Sequence, residues 1–179
     1  MTNEYEGYWL GTYTGKKFHY LNPQPDEIDI VDIAHHLSLI CRFTGACITF
    51  YSVAEHSIRA AELLPERYKL AGLLHDAAEA YTGDLSRMVK YTHRLDTEEQ
   101  VIAEVIAKKF KVSFSNPEIK DVDNILLATE ARDLMNNTDG WLRLATPIPY
   151  PYRVKPMRST RAEKLFLKLF YKYEKRKDE

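Results

Sequence analysis

The chain has 179 residues, of which 45% are hydrophobic, and its formal net charge is −1. A chain of this length and composition can fold as a single domain, residues 1–179, with a sizeable hydrophobic core. The near-zero net charge gives no general attraction to nucleic acid or anionic membranes, and no basic stripe with interleaved aromatic residues favours a nucleic-acid-binding protein.

The N-terminal residues 1–25 are predicted to form a small hairpin and a linker. Aromatic and polar residues alternate from Tyr8 to Tyr20 around Thr14-Gly15, a pattern typical of a short β-hairpin. The sequence Asn22-Pro-Gln-Pro25 then interrupts regular structure. We interpret this region as an addition to the core and not as a core sheet.

Three helices are predicted between residues 29 and 81, each from a start signal followed by apolar residues at helical spacing. Ser52 and Glu55 match a capping box, in which a hydroxyl and a carboxylate each accept from a free backbone amide. The helices begin at Asp29, at Ser52 and at Pro65, and the first and third are predicted to end near Gly45 and Tyr81.

Three further helices are predicted in the second half of the chain. Residues 146–158 include four prolines and are predicted to be an extended arm before the last of these helices. The order of elements predicts an all-α fold, a helical bundle with a small N-terminal β-hairpin. The helices run from about Asp96 to Phe110, from Asn116-Pro117 to Asn136-Asn137, and onward from a second capping box, Thr160-Arg-Ala-Glu163.

Four side chains able to bind a metal ion lie on the predicted inward faces of three helices. His56 faces the core side of the second helix, and Asp123 lies on the apolar stripe of its own helix. His75 and Asp76 are neighbours about 100° apart on the third helix, which still lets both reach one ion when the helix meets the bundle axis obliquely. Imidazole and carboxylate donors suit divalent Zn, Mn, Co or Fe, and a bound cation would neutralise carboxylates that are costly to bury unpaired.

Single residues of this set also have simpler interpretations. His56 alone could be a hydrogen-bonded core histidine, and Asp123 alone could form an ion pair between helices. The adjacent His35 and His36 invite assignment to a second site, but are interpreted as dividing between the core and its rim. The strength of the metal-site prediction lies in the combination.

The order His56, His75-Asp76, Asp123 resembles the H…HD…D signature of the HD-domain metal-dependent phosphohydrolases. The words YSVAEHS and LLHDAAEAYTGDLSRMVKY are similar to those of the 5′-deoxynucleotidase branch. The segment TGKKFHYLNPQPDEIDIVDIAHHLSLICRFTG resembles the phage dATP triphosphohydrolases called DatZ, which remove dATP in phages that replace adenine with 2-aminoadenine. The resemblance extends from about Thr14 to Asp133.

The resemblance implies roles for the four residues and for two carboxylates near them. The four would hold the metal and leave positions open for water and a phosphate oxygen. Glu79 matches the general acid/base of the family. In the simpler alternative it would only hydrogen-bond and orient a metal ligand. Asp84 matches a family residue near phosphate and metal, although an aspartate after glycine is also typical of a helix cap.

A nucleotide substrate needs positive groups beyond the metal, since its charge must be matched during the reaction. The candidates are Arg42, Arg87 and Lys90, with Lys120 as a further one, and Mg²⁺ could accompany the phosphates. Lys90 is favoured, whereas Arg87 could equally be a solvated side chain. Arg42-Phe43 lies where the deoxynucleotidases carry Arg-Trp beside sugar and base, so Phe43 could stack on a purine or instead plug the end of the first helix.

The resemblance thus implies a metal-dependent phosphohydrolase of deoxynucleotides, with dATP converted to deoxyadenosine and triphosphate or dephosphorylated stepwise. The alternatives are a 5′-deoxynucleotidase acting on monophosphates and a non-catalytic module that binds nucleotide. Guanosine tetraphosphate hydrolysis is less favoured, because enzymes of that kind carry HDxxED where this chain has HDAAEA.

A cytoplasmic protein is expected, in the host cytoplasm if the chain is phage-encoded. Cys41 and Cys47 form no CxxC pair or disulfide framework, which suits a reducing compartment. The start MTNEYEGYWLGTY lacks signal-peptide features, and no apolar run approaches the roughly 20 residues of a membrane span. A homo-oligomer, on the resemblance a hexameric ring, is expected, with the aromatic hairpin and the proline-rich arm as candidate subunit contacts.

Overall fold

The structure, a computed structural model, describes residues 7–93, 96–136, 151 and 153–176, with the backbone alone at positions 87, 88 and 96. These residues are mostly helical, and one two-stranded antiparallel hairpin precedes the helices, which confirms the predicted all-α class. In chain order the elements are β1 (Leu10–Gly11), β2 (Lys17–Phe18), α1 (Ile30–Leu39), α2 (Val53–Leu63), α3 (Lys69–Leu74), α4 (Glu79–Thr82), α5 (Arg87–His93), α6 (Asp96–Phe110), α7 (Pro117–Leu134) and α8 (Ser159–Arg176).

The core lies where α8 packs against α1, α2 and α3. The apolar face of α8 is buried there, together with inward residues of the first three helices. Among the described residues, no helix has the length and apolar character needed to cross a bilayer. Fully or almost fully buried core side chains include Ile33, Leu37, Ile58, Leu73, Ile102, Phe166 and Phe170.

One buried carboxylate fastens the hairpin to α1. Asp32 accepts hydrogen bonds from the backbone amide of Thr14 at 2.6 Å and from its hydroxyl at 2.8 Å. The ring of Phe18, at the end of β2, is fully buried and stacks on Tyr81 with 4.0 Å between ring centroids. The sequence pattern predicts a hairpin that is only added to the outside of the core. In the structure the hairpin also contributes one side chain, Phe18, to the core.

We expect Asp32→Ala to lower the free energy of unfolding by about 2–3 kcal/mol, since both hydrogen bonds to a buried carboxylate are lost. Urea unfolding followed by circular dichroism measures the change. Thr14→Val removes the hydroxyl bond alone and should cost about half as much. A loss from Asp32→Ala no larger than that from Thr14→Val would contradict the two-bond attachment.

The first helix ends at Leu39, and the predicted continuation towards Gly45 is wrong. Residues 40–42 instead pair with residues 51–53 as a short antiparallel bridge, closed by two backbone hydrogen bonds. A separate one-turn 3-10 helix, Phe43–Gly45, follows with positive φ at each of its residues. Pairing with a distant segment therefore overrides the local helical pattern.

The single helix predicted over residues 65–81 is two short α-helices, α3 and α4, with a turn between them. In this turn, residues 75–78, the amide of Ala77 donates to the carbonyl of Leu74, and the amide of Glu79 donates to the carbonyl of Asp76, each three residues back. His75 Nδ1 lies 2.8 Å from the carbonyl oxygen of Gly72, the acceptor that a continuous α-helix gives to the amide of Asp76. His75 and Asp76 thus lie on a tightened turn and not in mid-helix.

Gly72 lets α3 lie close to the end of α2. A Cβ atom at this position would be 2.2 Å from Cδ1 of the buried Leu64. We expect Gly72→Ala to cost about 1–3 kcal/mol of unfolding free energy, because an extra methyl group in a filled core displaces its neighbours. Urea unfolding measures this, with Gly7→Ala, which meets nothing within 4 Å, as the matched control. Equal stability of the two variants would contradict the close packing.

The capping box predicted for α2 is half formed. The Ser52 hydroxyl accepts from the amide of Glu55 at 3.1 Å, as predicted. The Glu55 carboxylate instead accepts from Arg59 and from the amide of Met157. The second predicted box, Thr160 to Glu163, requires Thr160 to precede the last helix. Helix α8 already begins at Ser159, so Thr160 lies inside it, and no such box is found among the described contacts.

The chain between α7 and α8 is described in part. Helix α7 ends at Leu134, shortly before the predicted end, and of the predicted arm, 146–158, only residues 151 and 153–158 lie within the described part. Residues 153–158 have no regular secondary structure. Asp133 accepts from the amide of Val154 at 2.7 Å, which fastens the returning chain to the end of α7.

Candidate metal centre

The four predicted ligands converge between α2, the turn after α3, and α7. His56 Nε2 lies 3.2 Å from His75 Nε2, 3.2 Å from Asp123 Oδ1 and 3.4 Å from Asp76 Oδ2. His75 Nε2 lies 3.3 Å from Asp76 Oδ1 and 3.9 Å from Asp123 Oδ1. The group that could hold a metal ion is His56, His75 and Asp123, and the Asp76 carboxylate flanks both imidazoles.

Hydrogen bonds on the far side of both imidazoles define how the two rings face each other. His56 Nδ1 lies 2.8 Å from Glu130 Oε1, and His75 Nδ1 lies 2.8 Å from the Gly72 carbonyl oxygen. A carboxylate and a carbonyl only accept, so each Nδ1 donates, and each neutral ring presents a lone pair at Nε2. Two lone pairs 3.2 Å apart, faced by two carboxylates, fit a cation held between them.

The pKa values in the cluster indicate the same preference for positive charge. Burial and Arg42 act to lower the pKa of His56, but Glu130 and Asp123 raise it to about 10. Burial acts to raise the pKa of Asp123, but His56 and His75 hold it well below its ordinary value. A proton or a metal ion therefore stabilises these donors, and the two compete for the same place.

Glu79, at the start of α4, is a buried carboxyl beside the cluster. Its side chain is 6% exposed, Oε1 lies 3.3 Å from Lys90 Nζ, and Oε2 has no hydrogen-bond partner in the described part of the protein. Burial, Asp76 and Asp84 raise the pKa of Glu79 well above its ordinary value, against the opposing effect of Arg42 and Lys90. Glu79 therefore holds a proton more readily than an exposed carboxyl, as a general acid requires.

Asp84 lies on the loop after α4, linked to the 3-10 turn that follows α1. The Thr44 hydroxyl donates to the backbone carbonyl of Asp84 at 3.1 Å. Asp84 Oδ2 is buried and has no hydrogen-bond partner among the described residues. The Ser86 hydroxyl, and not Asp84, accepts from an amide in the first turn of α5, so the helix-cap alternative for Asp84 gains no support.

Arg42, a predicted substrate contact, is buried behind the cluster. Its NH1 lies 3.4 Å from Asp76 Oδ2, and its Nε lies 3.1 Å from Glu130 Oε2. The half-buried ring of Phe43 lies beside it, with 5.5 Å between the guanidinium carbon and the ring centroid. The guanidinium thus has two carboxylate partners within the protein.

The other predicted phosphate contacts lie in different surroundings. The Lys90 ammonium group contacts Glu99 at 2.7 Å as well as Glu79. Arg87 is the first residue of α5, and its side chain lies outside the described part of the protein. Lys120 is exposed on α7. Direct contact of these residues with substrate stays a prediction.

The sequence reasoning missed Glu130, which is fully buried on α7. Besides its bond with His56, Glu130 Oε1 accepts from the Tyr51 hydroxyl at 2.7 Å. Glu130 follows Asp123 by seven residues, two helical turns, and therefore lies on the same face of α7. That spacing is the signal in the sequence that could have identified it.

His35 and His36 are half-buried and serve the hairpin side of α1. His36 Nδ1 donates to the Ala80 carbonyl oxygen at 2.8 Å, and its Nε2 lies 3.2 Å from the amide nitrogen of Tyr13. His35 stacks on the Tyr13 ring, with 3.6 Å between centroids. Neither belongs to the histidine and carboxylate group around His56.

Comparison with known proteins finds one family model, described as HD domain, that matches residues 47–167. The chain is 36% identical over 170 residues to Uncharacterized protein YfdR of Escherichia coli (strain K12), which covers 90% of this chain and 93% of the relative. It is 41% identical over 91 residues, 46% of each chain, to Uncharacterized protein RCAP_rcc00048 of Rhodobacter capsulatus. Neither name states an activity, so the narrower resemblance to DatZ or 5′-deoxynucleotidases stays a prediction.

Proposed function

Because the chain belongs to the HD-domain family, typically metal-dependent hydrolases, we propose that it is a metal-dependent phosphohydrolase of deoxynucleotides. The observation that carries this proposal is the convergence of two Nε2 atoms and two carboxylates, with Glu79 beside them. Nitrogen and oxygen donors without a thiolate suit Zn, Co or Mn and favour an open catalytic site.

The chemistry of the centre follows from these groups. A divalent ion held there would acidify a water molecule and polarise a phosphoryl oxygen. Glu79, carrying a proton, would donate it to the 5′-oxygen as the bond from phosphorus to that oxygen breaks, so that the nucleoside leaves as an alcohol. The water oxygen forms the new bond to phosphorus, and the proton lost by water restores Glu79.

We propose dATP as the favoured substrate. The resemblance of residues 14–45 to the phage dATP triphosphohydrolases supports it, as does the half-buried ring of Phe43, which can stack on a purine. The products would be deoxyadenosine and triphosphate, or phosphate released stepwise. Removal of dATP would favour incorporation of 2-aminoadenine into phage DNA.

A 5′-deoxynucleotidase acting on monophosphates is the second candidate, and the ion pairs of two cations favour it. Arg42 contacts Asp76 and Glu130, and Lys90 contacts Glu79 and Glu99. Their charge is largely matched within the protein, which leaves less for a triphosphate than for a single phosphate. Cleavage of a monophosphate and one-step release of triphosphate from dATP both break the bond between the α-phosphorus and the 5′-oxygen, whereas stepwise release from dATP would first break the bonds between phosphates.

The experiment that tests these proposals is hydrolysis of dATP, dGTP, dCTP, dTTP, ATP and dAMP with added Mn²⁺, Co²⁺ or Zn²⁺. Loss of dATP alone among the triphosphates would support the first proposal, and dADP or dAMP among its products would indicate stepwise release. Cleavage of monophosphates alone would favour the 5′-deoxynucleotidase. No cleavage with any ion would overturn both and favour a module that binds nucleotide without turning it over.

We further propose that copies of the chain associate with one another, as the aromatic hairpin suggests. Tyr8, Trp9 and Tyr13 are 69%, 48% and 58% exposed, although each offers a large apolar surface. Sedimentation velocity at working concentration tests this proposal. A single monomeric species would contradict it.

A further inference from the structure

Two buried groups of opposite charge lie behind His56, on the side away from the converging Nε2 atoms. Glu130 on α7 is fully buried, and Arg42, in the bridge after α1, is 7% exposed. Glu130 Oε2 and Arg42 Nε are 3.1 Å apart. An isolated charge in either position would be costly, so each residue depends on the other.

The contacts of this pair form a closed ring with the candidate ligands. Glu130 accepts from His56 Nδ1 at 2.8 Å, and Arg42 NH1 lies 3.4 Å from Asp76 Oδ2. His56 and Asp76 in turn face each other at 3.4 Å across the cluster. Each end of the ion pair therefore reaches a different candidate ligand, and the two ligands come from different segments.

The four candidate ligands have a net charge that one divalent ion offsets. Asp76 and Asp123 carry two negative charges, and the two histidines are neutral. Glu130 alone would make the surroundings negative and disfavour an anionic phosphate substrate, and Arg42 removes that excess.

We propose that Glu130 and Arg42 are a positioning pair: Glu130 holds His56 in the tautomer that binds metal, and Arg42 keeps this buried carboxylate from adding negative charge at the centre. The inference rests on the proposed metal-dependent function. It assigns Arg42 a role within the protein in place of the predicted direct contact with substrate. Neither residue need touch the reacting phosphate.

Glu130→Gln tests the first half of the proposal, because an amide cannot satisfy both neighbours. If its oxygen accepts from His56, its NH₂ group lies against the positive guanidinium of Arg42; if it is turned round, NH₂ faces His56 Nδ1. We expect Co²⁺ affinity, measured by calorimetric titration and by the visible spectrum of bound Co²⁺, to fall about 10–100-fold. Tyr51→Phe is the matched control. It removes the hydroxyl that donates to Glu130 Oε1 but leaves the carboxylate free to accept from His56, so it should bind Co²⁺ far more tightly than Glu130→Gln.

The double variant Arg42→Met/Glu130→Gln separates positioning from a merely structural role. Without the Arg42 donor, the amide oxygen can accept from His56, so Co²⁺ affinity should recover by at least about tenfold from that of Glu130→Gln. Melting temperatures identify any variant that fails to fold. If Glu130→Gln itself is unfolded, the comparison of the double variant with Arg42→Met still tests the idea, because both should bind Co²⁺.

KM tests the charge-balancing half. Arg42→Met should raise KM for the cleaved nucleotide, and the double variant should restore it, since the unmatched carboxylate is gone. A KM that stays raised in the double variant would instead support direct contact of Arg42 with substrate and overturn this half of the proposal.

The metal titration has outcomes of its own. Wild-type Co²⁺ affinity in folded Glu130→Gln, or no recovery in the double variant, would overturn the positioning role. If the wild type binds Co²⁺ but cleaves no nucleotide, the proposed function fails while the positioning role remains supported by the titrations.

Discussion

Glu79→Gln is expected to lower kcat by about 10²–10⁴-fold, the usual contribution of a positioned proton donor. Burial and the neighbouring carboxylates raise the pKa of Glu79 well above its ordinary value, which favours a side chain that can hold and transfer a proton. The amide has nearly the same shape but cannot supply that proton. Steady-state hydrolysis of the substrate identified in the nucleotide panel measures the loss.

The variant should remain folded and keep its metal affinity. The pKa of Glu79 is higher in the folded than in the unfolded state, so the folded protein loses stability when Glu79 ionises as pH rises. A neutral amide at this position does not ionise and avoids that loss. The melting temperature at neutral pH should therefore not fall. Glu99→Gln is the matched control, since Glu99 shares Lys90 as its partner but is not a predicted catalytic residue. An equal loss of kcat in Glu99→Gln would place the effect on Lys90 and contradict the assignment of Glu79.

His75→Ala is expected to remove bound metal and, with it, turnover. His75 Nε2 faces the other candidate ligands at 3.2–3.9 Å, and its ring is oriented by the Gly72 carbonyl. Loss of an outer hydrogen-bond partner of a metal ligand typically costs 10–100-fold in affinity, so loss of the ligand itself should exceed about 100-fold. Elemental analysis of dialysed protein and phosphate release measure the two effects.

The matched control for that variant is His93→Ala, which changes an exposed histidine at the end of α5. It should retain both metal and activity. Addition of excess Co²⁺ to His75→Ala gives a further readout, because partial return of turnover would indicate weakened binding and not a collapsed fold. Full activity of His75→Ala without added metal would refute the assignment of this centre.

Two residues of the candidate centre, His56 and Asp123, could be predicted from local spacing, because they follow the spacing of the helices that carry them. His56 follows a capped helix start, and Asp123 lies among apolar residues four and three apart. The tightened turn at residues 75–78 was not predictable in this way. It depends on a bond between the His75 ring and a carbonyl of its own segment, which the apolar pattern of the sequence does not encode.

The rest depends on contacts between segments far apart in the chain. Helix α1 ends early because residues 40–42 bridge to residues 51–53, and such pairing overrides local propensity. Arg42 was predicted to contact substrate from its positive charge and from the match of Arg42-Phe43 to the Arg-Trp pair of the deoxynucleotidases. Its partner Glu130 becomes apparent only when α7 packs beside α2. Charge and residue type identified Arg42 as important, but its partner required the fold.

The two histidines of the centre differ in how evolution can adjust them. His56 is held by a glutamate side chain, which substitution can shorten, neutralise or replace, whereas His75 is held by the main chain at position 72. Every amino acid at position 72 supplies the same carbonyl, so mutation cannot change the chemistry of that partner. Substitutions that tune the outer hydrogen bond of a metal ligand are therefore expected at the partner of His56 and not at the partner of His75.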